Sequence, residues 1–303
     1  MNNKFQKKLI IITGPTAIGK TGLAVFLAKQ LQTEIISFDS RQFYKEMKIG
    51  TAVPTEEELA EASHHFIQNL SIHDAYSVGD FEQDALKKLE ELFGKYDSVV
   101  MVGGSGMFEK AVTEGLDKFP DVDPKIREEL IREFEEFGLE KLQEELKNTD
   151  FVYSQQVDLS NHQRVIRALE ICRGNGKPFS SFRKNKSADR NFEVIKIGLQ
   201  LPREEIYERI NRRVDLMMEE GLLEEVKSLQ EFKNLNSLQT VGYRELFDYL
   251  DGKFDLGFAV EEIKKNTRRY AKRQLTWYRK DQKVNWFSPF EKEQILNFIS
   301  SQL

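Results

Sequence analysis

The sequence predicts an α/β protein, a parallel sheet flanked by helices with a smaller all-helical insertion. Three observations predict it. Short β-branched runs alternate with amphipathic helical patterns, which implies parallel strands joined by covering helices. The first run leads straight into a glycine-rich loop and then a helix. Between about residues 120 and 190 convincing strands disappear and charged helices replace them.

In chain order the strand candidates are "KLIIIT", "TEIISFD", "DSVVMVGG" and "EVIKIGLQL", each bounded by turn or polar residues. The first helix, "KTGLAVFLAKQLQ", sets Leu23, Phe26, Leu27 and Leu31 at helical spacing, a stripe suited to packing on a sheet. In "DPKIREELIREFEEFG", Asp123 is placed to cap a helix, Pro124 suits its first position, and Ile126, Leu130, Phe134 and Phe137 form the stripe. "SNHQRVIRALEICRG" reads as a helix ending at Gly174, and "GNGKPFSSFRKNKSADR" as a mobile basic loop. The expected division is a core of residues 1–119 and 191–303, and an insertion of residues 120–190. After "EVIKIGLQL" the pattern is mostly helical.

Length and composition fit this division. A chain of 303 residues with 40% hydrophobic residues can bury a core and is not disordered. The lone Cys172 cannot form an internal disulfide and reads as a small core residue, which fits a reducing compartment. The start "MNNKFQKKLIIITG" is basic, but its apolar run is too short for a signal peptide, and no stretch is long enough for a membrane span. A cytoplasmic protein, expected to be a monomer, follows from this reading. The net charge of −5 argues against a generally basic nucleic-acid binder, so any such surface must be local.

"GPTAIGKT", Gly14 to Thr21, matches G-x-x-x-x-G-K-[ST] between a strand and a helix, so the sheet is P-loop NTPase-like. In such a loop backbone N–H groups and a helix N-terminus surround phosphate oxygens, Lys20 reaches the outer phosphate, and the Thr21 hydroxyl can ligate Mg²⁺. The motif specifies a polyphosphate and leaves the reaction open. Asp39, after the second strand, reaches the same crevice if that strand neighbours the first; otherwise Asp39 or Ser40 serves as a helix cap. "VGGSGMF" ends a third strand and offers the Ser105 hydroxyl among glycines that permit close backbone approach, or simply makes a tight turn.

With "FDSRQFYKEMKIGTAVPT", "HHFI", "YSVGDFEQDA", "VGYRE" and "AKRQLTWYRK" added in order, the chain resembles the tRNA dimethylallyltransferases, also called tRNA isopentenyltransferases, from about residue 10 to residue 287. The resemblance implies transfer of a dimethylallyl group from dimethylallyl diphosphate to the exocyclic amine of an adenine beside the tRNA anticodon, with Mg²⁺ as cofactor. It makes Asp39 the general base, with Ser40 and Gln42 holding the adenine, Arg41 meeting the tRNA and Ser105 placing the substrate. Gly14, Thr16, Ala17, Ile18, Gly19, Lys20 and Thr21, with Arg244, would hold the diphosphate. Arg127, Gln163, Arg164 and Arg167 of the insertion, and Arg268 and Lys272 near the C-terminus, would meet the tRNA anticodon stem-loop. Two residues depart from the family, which usually has Thr and Tyr where this chain has Ser105 and Phe108. Serine keeps the hydroxyl but is freer to rotate, and phenylalanine lacks the phenol.

Residues 264–283 supply the local basic surface, with nine Lys or Arg against one acid. The interleaved Tyr270, Trp277 and Tyr278 read as core. The four histidines are scattered or adjacent and lack the spacing of a zinc site. Two other functions share the phosphate loop, a small-molecule kinase and a transferase acting on free adenine nucleotides.

Overall fold

A computed structural model of the chain describes residues 7–183 and 188–303. The basic start "MNNKFQ" and the "KNKS" of the expected mobile loop lie outside the described residues. In chain order the elements are β1 (Lys7–Thr13), α1 (Lys20–Gln30), β2 (Ile35–Ser37), α2 (Glu56–Glu61), β3 (His64–His65), α3 (Val78–Phe93), β4 (Ser98–Val102) and α4 (Gly106–Glu114). The four helices α5 (Pro124–Phe137), α6 (Leu139–Thr149), α7 (Phe151–Ser154) and α8 (His162–Asn175) follow. The chain ends with β5 (Phe192–Leu199), α9 (Arg203–Glu219), α10 (Leu222–Ser228), α11 (Tyr243–Leu250), α12 (Leu256–Tyr278), β6 (Val284–Phe287) and α13 (Lys292–Ser300). Two compact units result, Met1–Thr113 with Asp189–Leu303, and Glu114–Ala188.

The first unit is built on a six-stranded parallel sheet ordered β3-β2-β4-β1-β5-β6. Strand β1 lies between β4 and β5, so both its faces are covered and its apolar run is continuous. Leu9 and Ile11 enter one core with Phe81, Ala85 and Leu89 of α3, while Ile10 and Ile12 enter another with α1, α9 and α13. All four are fully buried, and each contributes about 1.5–3 kcal/mol by leaving water. Helix α1 is buried on more than the expected stripe: Leu23, Ala24, Val25, Leu27 and Ala28 are all covered, because α13 closes over its far side. Phe26 and Leu31 of that stripe are only partly buried.

Two strands, β3 and β6, carry no pattern legible in the sequence. His64 and His65 pair with Ile35 and Ile36, and "VNWF" follows directly on the basic helix, pairing with β5. A third core gathers Val214, Leu222, Val226, Tyr243, Leu246 and Ile263 from α9 to α12 around Tyr44, Met47 and Ile72.

In the second unit Asp123 caps α5 by accepting the Lys125 N–H at 2.9 Å, with Pro124 as first residue. Leu130 is buried and Ile126 and Phe134 pack beside it, but Phe137 is 52% exposed beneath the Lys141 ammonium, 4.0 Å from its ring centroid. Helix α8 does not end at Gly174. That glycine lies inside the helix, where a Cβ would come within 2.4 Å of Val122, and the helix stops at Gly176, which takes φ +68°. The segment after it is also more ordered than a mobile loop: Phe179 is buried and stacks on Phe119 at 4.6 Å, and the Asp150 carboxylate accepts both the N–H and the hydroxyl of Ser180. Cys172 is buried in this core, and burial pushes its thiol up.

Candidate functional site

The phosphate loop has the backbone its sequence requires. Gly14, at φ +145°, approaches the Leu199 carbonyl so closely that a Cβ would stand 2.8 Å from its oxygen. Ala17 adopts the left-handed region at φ 63°, and Gly19 precedes the first helical residue, Lys20. The start of α1 therefore turns its free N–H groups towards the loop, a setting for an anion. Lys20 Nζ donates to the carbonyls of Gly14 and Pro15 at 3.1 and 2.9 Å, and burial lowers its pKa to about 8 against the opposing pull of the Asp39 carboxylate.

Asp39 does reach this loop, though not by the expected route. Strand β2 does not neighbour β1, because β4 runs between them. The approach is made possible by Gly103 at the end of β4, where a Cβ would lie 2.6 Å from the Phe38 ring. Asp39 lines a cavity of about 930 Å³ together with Thr16 to Gly22. It also accepts the Arg41 N–H at 3.1 Å, so it keeps a share of the local turn role. Ser105 joins from β4, its Oγ accepting the Ser40 N–H at 3.2 Å and meeting the Ser40 hydroxyl at 3.2 Å. Phe108 is packed in an aromatic cluster with Phe43 and Phe81, at 5.7 and 5.3 Å between ring centroids.

Other expected site residues are placed differently. The Arg41 guanidinium donates to the carbonyls of Asn236 and Ser237 at 3.1 and 2.8 Å, which engages it with the protein's own backbone. Gln42 lines the cavity, yet its amide N–H groups go to the carbonyls of Thr51 and Ala52. Arg244, on α11, does not line the cavity; it stands near Arg41, whose pKa it helps to lower after the larger effect of burial. Arg268 donates to Asn211 at 2.6 Å and lies over the Tyr207 ring, whereas Lys272 is exposed on α12. In the helical unit Arg127 and Arg167 converge on Glu170 at 3.0 Å each, and Gln163 and Arg164 are exposed.

Helix α9 supplies cations that the sequence reading overlooked. Arg209 Nε donates to the Ala17 carbonyl at 2.8 Å, and Arg213, one turn on, is 3.4 Å from Thr16 Oγ1. The signal was present: Ile206, Ile210 and Val214 bury one face of α9, leaving Arg209 and Arg213 together on another. The aromatics of α12 are also not simply core. Tyr278 is buried, but Trp277 is 43% exposed, and Tyr270 is pushed up to about 12 by burial and the nearby Asp39 charge.

A phosphate loop, a carboxylate facing its lysine and arginines from α9 define an anion-handling α/β enzyme of the P-loop type. The sequence model of the IPP transferase family matches residues 42–281. A tRNA dimethylallyltransferase of Christiangramia forsetii is 59% identical over 296 residues, covering 97% of this chain and 98% of the relative, and one of Flavobacterium johnsoniae is 53% identical over 98% of this chain and 99% of the relative. Among solved structures, a full-length tRNA isopentenylpyrophosphate transferase from Bacillus halodurans superposes with a TM-score of 0.73 at 38% identity, covering 97% of this chain and 96% of that one. A eukaryotic dimethylallyltransferase acting on tRNA gives a TM-score of 0.78 at 25% identity, over 95% of this chain and 75% of that one. The chain belongs to the IPP transferase family.

Proposed function

We propose that this protein transfers the dimethylallyl group of dimethylallyl diphosphate to the exocyclic amine of an adenine beside the anticodon of tRNA. The observation that carries the reading is the shared cavity of Asp39 and the Lys20 loop. The diphosphate would lie on the loop, facing the N-terminus of α1, Lys20, Arg209 and Arg213. As the amine nitrogen bonds to the allylic carbon, the carbon–oxygen bond breaks and its electron pair leaves with the diphosphate. Positive charge on nitrogen makes its proton acidic, and that proton passes to the Asp39 carboxylate. General-base assistance of this kind is worth about 10²- to 10⁴-fold in rate. The loop and its cations oppose the charge that develops on the leaving group. Ser40 and Ser105, tied to one another, stand beside the carboxylate as orienting hydroxyls.

Thr21 presents a hydroxyl to the cavity at the phosphate loop, a donor that suits Mg²⁺ held mainly by phosphate oxygens and water. Bound there, Mg²⁺ would supply further charge against the departing diphosphate.

An adenine stacked in an RNA loop must be extruded to enter such a cavity, at a cost of a few kcal/mol. Phosphate contacts from exposed Lys272 and its basic neighbours on α12, and from Arg127, Arg164 and Arg167, would offset it. Full-length similarity to proteins named for tRNA favours this acceptor over free nucleotides. The enzyme is proposed to act as a monomer in the cytoplasm. Radiolabelled dimethylallyl diphosphate incubated with unmodified tRNA should label the RNA, and AMP should compete poorly. ATP turnover without RNA labelling would refute the reading.

A further inference from the structure

Gln274 makes a pair of contacts that the transfer reaction does not use. It lies on α12, 5% exposed, yet both ends of its amide are engaged. Its Oε1 accepts the Thr16 N–H of the phosphate loop at 2.9 Å, and its Nε2 donates to the Gly104 carbonyl, one residue before Ser105, also at 2.9 Å. These partners fix the orientation of the amide, since an N–H requires the oxygen and a carbonyl requires the nitrogen. The fit is close: a Cβ on Gly104 would fall 2.1 Å from Gln274 Nε2. One turn further on, Trp277 covers the next glycine of the same turn, where a Cβ on Gly106 would fall 2.1 Å from its Nε1. One face of α12 thus holds the Ser105 turn at two points and the phosphate loop at one, while Lys272 and Arg273 on the same helix are exposed.

We propose that Gln274 is a positioning residue that sets the spacing between the phosphate loop and the Ser105 turn, and so couples RNA docking along α12 to anion binding on the loop. The inference rests on the reading of the loop as a diphosphate site and of α12 as an RNA contact. It adds a mechanical link between the two sites. A buried amide satisfied at both ends is a stiff connection, because separating either partner strands a buried polar group. A shift of α12 on binding RNA is therefore felt directly at the Thr16 N–H. Coupling between two ligands is reciprocal, so pyrophosphate must strengthen RNA binding by the factor with which RNA strengthens pyrophosphate binding.

The test uses the full-length protein, inorganic pyrophosphate and an unmodified anticodon stem-loop RNA, with each affinity measured alone and in the presence of the other. In the wild type, RNA should tighten pyrophosphate binding by about 5-fold or more. Gln274→Met, close in size but unable to hold either partner in the same way, should bind each ligand alone within about 3-fold of the wild type but lose the mutual strengthening. Its KM for each substrate, measured at a saturating concentration of the other, should rise by about the lost coupling factor. Gln274→Asn keeps a neutral amide but is one methylene too short to hold both partners; it should bind pyrophosphate alone within about 3-fold of the wild type with reduced coupling, and it serves if the methionine variant fails to fold. Coupling in Gln274→Met equal to the wild type, or none in the wild type, would overturn the inference and leave the transfer reaction standing. A wild type that binds neither pyrophosphate nor RNA would overturn the underlying reading, and the coupling with it.

Discussion

Raising the pH through 8 should loosen the protein's hold on pyrophosphate while making the ligand-free fold more stable. Burial lowers the Lys20 ammonium from 10.5 to about 8, the Asp39 carboxylate opposes that fall, and the Arg213 guanidinium adds to it. Below pH 8 the folded, empty protein therefore carries a charge that its surroundings disfavour, at a cost of at most about 3 kcal/mol. That cost is relieved as the pH rises from about 8 towards the unfolded value of 10.5. A bound diphosphate reverses the preference, because its oxygens stabilise the protonated amine. In the empty site about nine-tenths of Lys20 is protonated at pH 7 and about one-tenth at pH 9, so pyrophosphate affinity should fall about 10-fold between them, or about 1.4 kcal/mol. Calorimetric titration at pH 7, 8 and 9 measures this, with Lys20→Met as the reference for pyrophosphate's own ionisation. If wild type and Lys20→Met show the same dependence on pH, Lys20 does not bind the anion through its charge and the reasoning fails.

Asp39→Ala should lower kcat about 10²- to 10⁴-fold in a tRNA-labelling assay while leaving pyrophosphate affinity nearly unchanged; equal loss of both would mark the carboxylate as structural. Arg213→Gln removes a guanidinium 3.4 Å from Thr16 Oγ1 and should weaken pyrophosphate binding about 10-fold or more by calorimetry. Lys272→Ala should reduce the slope of log affinity for tRNA against log salt by about 0.9, measured by filter binding, and an unchanged slope would remove Lys272 from the interface.

Much of this was legible because a few residues carry both fold and chemistry. The run "KLIIIT" before "GPTAIGKT" gives strand, loop and helix together, since only a strand buried on both faces tolerates such a run and only a glycine at position 14 fits beneath Leu199. Sequence distance hid the rest. Nothing local says that β4 separates β2 from β1, or that Gln274 and Arg213 meet the Thr16 region from 258 and 197 residues away. Gly174 was misread because a glycine needed for close packing and one needed for a helix stop look alike until Val122 is in place. Trp277 and Tyr270 read as core by residue type, although partly exposed aromatics also suit sites that receive a ring. Arg41 and Gln42 sit in the matching motif, but their side chains secure neighbouring segments.

The sheet order also affects how the chain is made. Leu9 pairs with Val99 on one side and with Val194 on the other. The ribosome reaches Val194 185 residues after Leu9, about 10 to 40 s later at ordinary elongation rates. Until then "LIII" has at most one neighbour, and its far edge is open to other nascent chains. The intervening helices of residues 114–188 make their contacts locally, so they can condense while β1 still waits. The strand that ends in the phosphate loop is therefore synthesised long before it can be enclosed on both sides. A product truncated before Phe192 would leave that strand half-paired and exposed to aggregation.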